Sequence, residues 1–252
     1  MRFPPLSIIG LAALSLASCT SVSELGLSAR AERPDCSVGN DGELSLRGPT
    51  DERFLGCVTA HLGDPGRRVT TIRLSSAGGD VRAALAAAEV IAQARPSIVI
   101  DGMCASSCAN YLIPVAKDVT LLPGARILLH GSIDGHFLAA HPRATAAYEA
   151  QAEFVSRWAV PLGWLLYRDA QAEQGGFGAH VTGQESPMVP GQAQGRLILV
   201  EEAFFRSCLP HIPVKGFDGA AGEEAARNAA LRAALVRQGV YRTGAMRCRE
   251  RG

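Results

Sequence analysis

The sequence predicts an α/β domain with a mostly parallel sheet covered by helices, and three observations carry that reading. Apolar, partly β-branched runs at 69–74, 97–100 and 119–129 are separated by helix-period stretches at 81–94 and 106–116, giving the order β-α-β-α-β. The strand candidates are apolar rather than strictly alternating, as in a sheet buried on both sides. The stretch at 81–94 carries Val81, Leu85, Ala88 and Ile91 or Ala92 on one stripe, as a helix packed on a sheet requires. At 252 residues the chain is long enough for one well-packed domain even after its amino terminus is set aside.

That terminus is not counted as fold. Arg2, an apolar stretch at 6–17 and then Leu16-Ala17-Ser18-Cys19 have the layout of an export signal with small residues before the cleavage point. The stretch is shorter than the ~20 residues a spanning helix needs, so it reads as a signal (1–18) rather than a permanent anchor. Residues 19–34 are polar and small and suit a tether. The remaining 35–252 read as a single domain with a C-terminal helical extension.

Its elements follow in order. A short strand is predicted at 43–48, and a helix over 50–62 places Phe54, Leu55 and Val58 toward a core. The strand at 69–74 ends at a glycine-containing turn, after which Asp80 can cap the helix at 81–94. The strand at 97–100 is followed by Gly102, which turns the chain, and by a mostly apolar, buried helix at 106–116. Pro123-Gly124 separates two short strands at 119–122 and 125–129. A long helical region at 144–169 is interrupted at Pro161, with Phe154, Trp158, Leu162 and Leu165 or Leu166 on one stripe. A loop at 171–195, an extended piece at 197–200, a helix at 201–208 and an alanine-rich helix at 223–238, stopped at Gly239, complete the chain.

Twenty-five Lys and Arg against 24 Asp and Glu leave a formal charge of +1, evenly spread, and no basic patch argues for nucleic acid. Of the seven cysteines, Cys19 belongs to the signal region. Cys36, Cys57, Cys104, Cys108, Cys208 and Cys248 remain, an even set in an oxidising compartment and room for three disulfides. Pairing is not fixed by the sequence. Cys36 with Cys57 and Cys208 with Cys248 would staple the two ends of the domain, while Cys104 and Cys108 are near neighbours around Ser106. No second close pair or His-x-x-x-His completes a zinc set, and no metal or cofactor requirement is visible.

Three short runs carry chemistry: Ser75-Ser76-Ala77-Gly78-Gly79-Asp80, then Gly102-Met103-Cys104-Ala105-Ser106-Ser107-Cys108, then Leu129-His130-Gly131. A nucleophilic serine needs a base for its proton and donors for the oxyanion that develops on the attacked carbonyl. Ser106 follows a strand and a glycine turn, so its hydroxyl can stand at a helix amino terminus. Gly78 and Gly79, with a backbone N–H near Ser107, can bring bare amides to the reacting carbonyl. His130 follows a strand and can act as base. Taken singly, Ser106 reads as an N-cap or small core residue, the glycine pair as a tight turn and His130 as structural. Ser107 is a rival nucleophile, but one helical residue turns a side chain by about 100°, so both hydroxyls cannot face one carbonyl. Lys117 as an alternative base stands about three turns past Ser106.

Together these runs resemble the ClpP/crotonase superfamily, in particular Clp-like serine peptidases and a group of exported ClpP-like bacterial proteins. There an Asn/Ser-x-Gly-Gly segment supplies oxyanion amides; Ser76-Ala77-Gly78-Gly79 matches it, with Ala77 where proline is usual. The family's Gly-x-Ala-Ala/Ser-Ser segment puts the nucleophile on Ser106, and its base histidine, about two dozen residues further on, falls on His130. The resemblance covers 44–209 and implies a ClpP/crotonase-like fold of β-β-α repeats. It departs at the third member: Clp peptidases carry an aspartate after the long helix, whereas 190–195 holds no acid, and Glu185 and Asp169 are the nearest candidates without matching by position.

The implied function is a cell-envelope serine peptidase acting on an extended peptide or protein bound as an added strand, with an esterase chemically adjacent. The alternative is a catalytically inactive ClpP-like fold serving as a lipid-anchored binding or assembly protein. Leu-Ala-Ser-Cys resembles a bacterial lipobox, which implies that Cys19 becomes the first mature residue and carries lipid. Thr20 in the next position matches the pattern of outer-membrane lipoproteins facing the periplasm. Proteins related by fold form rings or trimers, so a homo-oligomer is a further expectation; the stripe of Phe154, Trp158 and Trp164 serves either such contacts or an intrachain core.

Overall fold

The computed structural model describes residues 35–39, 41–63, 69–129, 131–133, 138–139, 141–165, 198–217, 241–242 and 248. The expected signal, tether, 171–195 loop and 223–238 helix lie outside the described residues, as do Cys19, His130, Asp169 and Glu185. The chain runs β1 (Asp35–Val38), β2 (Glu43–Arg47), α1 (Glu52–Leu62), β3 (Thr71–Ser76), α2 (Val81–Ala94) and β4 (Ser97–Ala105). After two short helical turns come β5 (Val119–Leu121), β6 (Arg126–Leu129), α3 (Thr145–Trp158) and α4 (Leu162–Leu165). β7 (Ile198–Leu199), α5 (Glu202–Cys208), β8 (Val214–Lys215) and β9 (Tyr241–Arg242) follow.

The strands form one sheet in the order β1-β2-β3-β4-β6-β7-β9, with β5 also on β4 and β8 on β5. All pairings among the described residues are parallel except β1 with β2 and β6 with β7. The fold is thus α/β with a largely parallel sheet and helices packed on it. Along β2, β3, β5 and the first half of β4, however, burial alternates, which corrects the expectation of strands buried on both sides there, whereas the end of β4 and most of β6 are continuously buried. Leu44, Leu46, Ile72, Leu74, Ile98, Ile100, Val119 and Leu121 are buried, while Ser45, Thr71, Arg73, Val99 and Thr120 between them are only half-buried. The apolar face shares a core with Phe54, Cys57, Val58 and Leu62 of α1 and with Ala84, Leu85, Ala88 and Ile91 of α2. The polar face carries ion pairs: Arg73 Nε lies 2.6 Å from Glu43 Oε1, and Arg47 pairs with Asp101. A sheet with one apolar and one polar face needs only one layer of side chains per two residues to form its core.

Both early helices start where a carboxylate meets orphan amides. Asp51 accepts from the N–H groups of Arg53 and Phe54 at 3.0 Å, and Asp80 accepts from that of Ala83 at 2.8 Å. Small alanines along α2 let it pack close to α1, α3 and the turns after β4.

β4 runs to Ala105, beyond the expected end at 100, and Gly102 is a bend inside it rather than its terminus. At that glycine (φ 109°) the strand changes neighbour: Ile98, Val99 and Ile100 pair with β5, and Met103, Cys104 and Ala105 with β6. The following segment is not the α-helix expected over 106–116. Cys108–Leu112 is a π-helical turn and Ile113–Val115 a 3₁₀ turn, all of it buried. Pro114 has no N–H with which to continue a helical ladder.

Pro161 separates α3 from α4, as expected. Phe154 and Trp164 are fully buried inside the chain, and the Trp158 indole donates to Glu89 Oε2 at 2.8 Å, so the aromatic stripe serves the intrachain core. Three disulfides are present: Cys36–Cys57, Cys104–Cys108 and Cys208–Cys248. The first ties the edge strand β1 to α1, the third ties α5 to the C-terminal region, and the second spans the turn that carries Ser106.

Candidate active site

Ser106 stands at the end of β4, half-buried, with φ 56°. A non-glycine residue in the left-handed region costs about 1–2 kcal/mol and persists only where its surroundings over-determine it. Here they do. The Ser106 N–H donates to the Leu128 carbonyl at 3.0 Å, and its own carbonyl accepts from the Asn110 N–H at 2.8 Å. The Cys104–Cys108 disulfide, buried in the core, joins the residues on either side of the turn. A serine on such a strand-to-helix turn has the local form of a nucleophile elbow, in which backbone strain sets the hydroxyl off the strand end.

The glycine pair is explained by what lies against it. Gly78 has φ 88°, and a Cβ there would fall 2.6 Å from the Ala105 carbonyl oxygen, 2.6 Å from Ser106 Cβ and 3.0 Å from the Ser107 nitrogen. The Gly78 backbone therefore rests directly on the Ser106 turn. A Cβ on Gly79 would instead sit 3.0 Å from both the backbone N and O of Thr50. The amides of the pair have partners: Gly78 N–H donates to Ser76 Oγ at 3.1 Å, and Gly79 N–H to Ser107 Oγ at 2.8 Å.

Ser107 is placed differently from its neighbour. Its side chain is buried, 2.8 Å from Thr50 Oγ1, and it also reaches the Gly79 carbonyl at 3.3 Å. The hydroxyl is a knot between three segments, which leaves Ser106 as the serine presented at the turn. Ser107→Ala leaves the Thr50 hydroxyl and the Gly79 N–H without this partner, an expected loss of about 1–3 kcal/mol in urea unfolding. Lys117 lies exposed past the 3₁₀ turn, its N–H bonded to the Pro96 carbonyl.

β6 delivers the chain toward the same turn. Ala105 pairs with Leu128, and beyond Leu129 the described chain resumes at Gly131. His130, between them, and both acids considered as a third member, Asp169 and Glu185, are outside the described residues. The segment 131–133 is held by buried polar groups. Asn110 Nδ2 donates to the Gly131 carbonyl at 2.8 Å, and Gln151 Nε2 to the Ile133 carbonyl at 2.8 Å. Tyr111 Oη lies 2.6 Å from Ser132 Oγ and donates to Gln151 Oε1 at 2.8 Å, while Ser132 also contacts that oxygen. Burial pushes the Tyr111 hydroxyl up to about 12, only partly opposed by its bond with Ser132, so it stays neutral at physiological pH.

No protein-family model matches this chain, and no curated protein does. The site accordingly rests on its own residues. Two of them, Thr50 and Asn110, belong to none of the three sequence motifs. Asn110 had a signal, since it is the one polar amide in the apolar run Cys108-Ala109-Asn110-Tyr111-Leu112-Ile113. Cys36, Cys57 and His61 bring ligand atoms within 4.8 Å of one another, but the two sulfurs are joined to each other, a state in which they are not thiolate ligands. Among the described residues no helix is long and apolar enough to cross a membrane.

Proposed function

We propose that this chain is a ClpP/crotonase-type serine hydrolase of the cell envelope, anchored through a lipidated Cys19 and cleaving amide bonds of extended peptides. Ser106 is the nucleophile and His130 the base. The observation that carries the proposal is the left-handed Ser106 turn at the end of a parallel strand, with the Gly78 backbone pressed against it. A strained serine clamped by a glycine is a poor way to build a core and a good way to present a hydroxyl.

In the reaction, His130 takes the Ser106 hydroxyl proton as Oγ bonds to the substrate carbonyl carbon, and the carbonyl π pair moves onto oxygen. The oxyanion is met by backbone amides of the Gly78-Gly79 segment and of Ser107, an arrangement that requires the Gly79 N–H to exchange its bond with Ser107 Oγ for one to the substrate. Collapse breaks the C–N bond, and the leaving amine takes the proton from the imidazolium. Water then adds to the acyl-enzyme by the same proton path and releases Ser106.

The engagement of both glycine amides by side-chain hydroxyls favours a second reading, a ClpP-like fold that binds without turnover. One experiment separates the two. The signal-less protein is treated with a fluorophosphonate probe, whose fluoride is displaced by an activated serine. Labelling of wild type and Ser107→Ala, with loss in Ser106→Ala and His130→Ala, is the expected result; folded wild type that does not label gives the chain to the binding reading.

A further inference from the structure

We propose that the Cys104–Cys108 disulfide is a one-way oxidative latch: the chain holds Ser106 in its presented conformation only after these two thiols have been oxidised, and the folded protein then shields the bond from reduction. The inference rests on Ser106 as the nucleophile and concerns the regulation of that site. The bond closes a ring around Ala105, Ser106 and Ser107, and within it Ser106 stands at φ 56°. The two ends of the ring are anchored unequally. Cys104 lies inside the sheet, paired with Ser76 of β3 on one side and with Ile127 of β6 on the other. Cys108 opens the π-helical turn, whose next carbonyl, that of Ala109, is met by the Trp164 indole.

Both cysteines are fully buried, in a core where neighbours are close-packed. As thiols, the two sulfurs repel at bonding distance, and each needs its own van der Waals space. Cys104 cannot give way without breaking its two strand pairings, so the displacement falls on Cys108 and on the residues between. The turn then widens, and Ser106, a non-glycine residue, relaxes out of the left-handed region. Relaxation also takes Ser106 Cβ and the Ser107 nitrogen off the Gly78 backbone, against which they rest. Neither of the other disulfides takes over this role, since Cys36–Cys57 joins β1 to α1 and Cys208–Cys248 starts from α5.

Oxidation proceeds by exchange with a disulfide oxidant. One cysteine thiolate attacks a sulfur of the oxidant's disulfide and expels one oxidant thiolate; the second then attacks the mixed disulfide, forms the Cys104–Cys108 bond and expels the other. Two protons leave the cysteines and two electrons pass to the oxidant, which ends as two thiols. The reverse step needs a reductant thiolate to reach one of the two sulfurs, and here exposure decides. Cys104 and Cys108 are 0% exposed, whereas Cys36 of the Cys36–Cys57 bridge is exposed. A dithiol therefore opens the outer bridge of the folded protein and leaves the latch shut. The site is unset while the chain is in a thiol-rich environment and stays set once it has been oxidised and folded.

The test compares oxidised wild type, the pair variants Cys104→Ala/Cys108→Ala and Cys36→Ala/Cys57→Ala, and folded wild type held in dithiothreitol, with cysteine pairing mapped by alkylation and mass spectrometry. Two quantities are read on the folded fraction: the fluorophosphonate labelling rate, and hydrogen exchange of the Ser106 and Asn110 amides, which are bonded to Leu128 and Ser106. Cys104→Ala/Cys108→Ala is expected to label about 5- to 30-fold more slowly, the population factor of an unsupported left-handed residue, and to exchange both amides faster. Cys36→Ala/Cys57→Ala, and wild type whose Cys36–Cys57 bond dithiothreitol has opened, are expected to label at the wild-type rate. Should the first pair variant not fold, refolding of reduced wild type with oxidised glutathione decides: labelling is expected to appear with the Cys104–Cys108 bond, and labelling that precedes the bond overturns the proposal. A folded Cys104→Ala/Cys108→Ala that labels and exchanges like wild type overturns it as well, as does dithiothreitol that opens Cys104–Cys108 in the folded chain as readily as Cys36–Cys57. If oxidised wild type does not label at all, the Ser106 reading itself has failed and the proposal falls with it for that separate reason, which amide exchange tells apart from an absent latch.

Discussion

Gly78→Ala is expected to lose about 3 kcal/mol or more and to abolish labelling of Ser106, although it adds a single methyl group. Two penalties combine. At φ 88° an alanine adopts the left-handed side of the backbone map, and its Cβ would overlap three atoms that have nowhere to go. The Ala105 carbonyl belongs to the ladder of β4 with β6, Ser106 Cβ belongs to a turn already strained, and the Ser107 nitrogen opens the buried turn after it. None is the far end of a flexible side chain, so relief has to come from moving the 76–79 segment away from the serine turn. That displacement also pulls Gly79 off Ser107 Oγ and Thr50. Gly56→Ala is the matched control: it lies inside α1, a Cβ there meets nothing within 4 Å, and helix propensity favours the substitution by up to about 1 kcal/mol. Urea unfolding of the two variants beside wild type checks both signs; equal stability of Gly78→Ala and wild type would remove the glycine from the account of the site.

Much of this arrangement is legible in the sequence because its signals are local. Asp80 followed by an alanine-rich stripe predicts α2 within its observed limits, and Pro161 predicts the break between α3 and α4. The six cysteines outside the signal are legible as a disulfide set but not as a pairing: the two end staples that their positions suggest, Cys36–Cys57 and Cys208–Cys248, both form, and the neighbours Cys104 and Cys108 join as well. β1, β8 and β9 are illegible for the opposite reason. They are two to four residues long and exist because a neighbouring strand offers a ladder, not because Asp-Cys-Ser-Val or Val-Lys prefers extension. Gly102 shows how a local rule misleads: glycine after an apolar strand reads as a terminus, yet β4 has a second partner waiting beyond it in β6.

The site divides along the same line. Ser106 and Gly78 can be picked from short motifs, and the structure brings them into van der Waals contact. What fixes them cannot be. Thr50 meets Ser107 across 57 residues, Gly79 meets Ser107 across 28, and Asn110 meets Gly131 across 21. Periodicity carries no information about such pairs. A buried Thr, Ser or Asn resembles any small polar residue until its partner is known.

Trp164→Ala is expected to cost about 3–5 kcal/mol, and Trp164→Phe about 1–3 kcal/mol, for reasons that lead back to the serine turn. The indole is fully buried, stacked on Phe204 with centroids 5.9 Å apart and set edge-on to Phe205 at 5.6 Å. Truncation to alanine empties that space, whereas phenylalanine keeps most of the packing and removes only the N–H. That N–H donates to the Ala109 carbonyl at 3.0 Å. In a π-helical ladder the carbonyl of residue i is met by the amide of residue i+5, and the residue five after Ala109 is Pro114, which has none. Trp164 thus supplies the hydrogen bond that the proline withholds, one residue before Asn110 and three after Ser106. Trp164→Phe should therefore impair labelling of Ser106 beyond its effect on unfolding, since the orphaned carbonyl lies in the turn that orders both residues. Chemical denaturation gives the first quantity and the labelling rate of the folded fraction gives the second. A Trp164→Phe variant that loses stability but labels at the wild-type rate would confine the indole to the core and leave the serine turn to its disulfide, its own hydrogen bonds and Gly78.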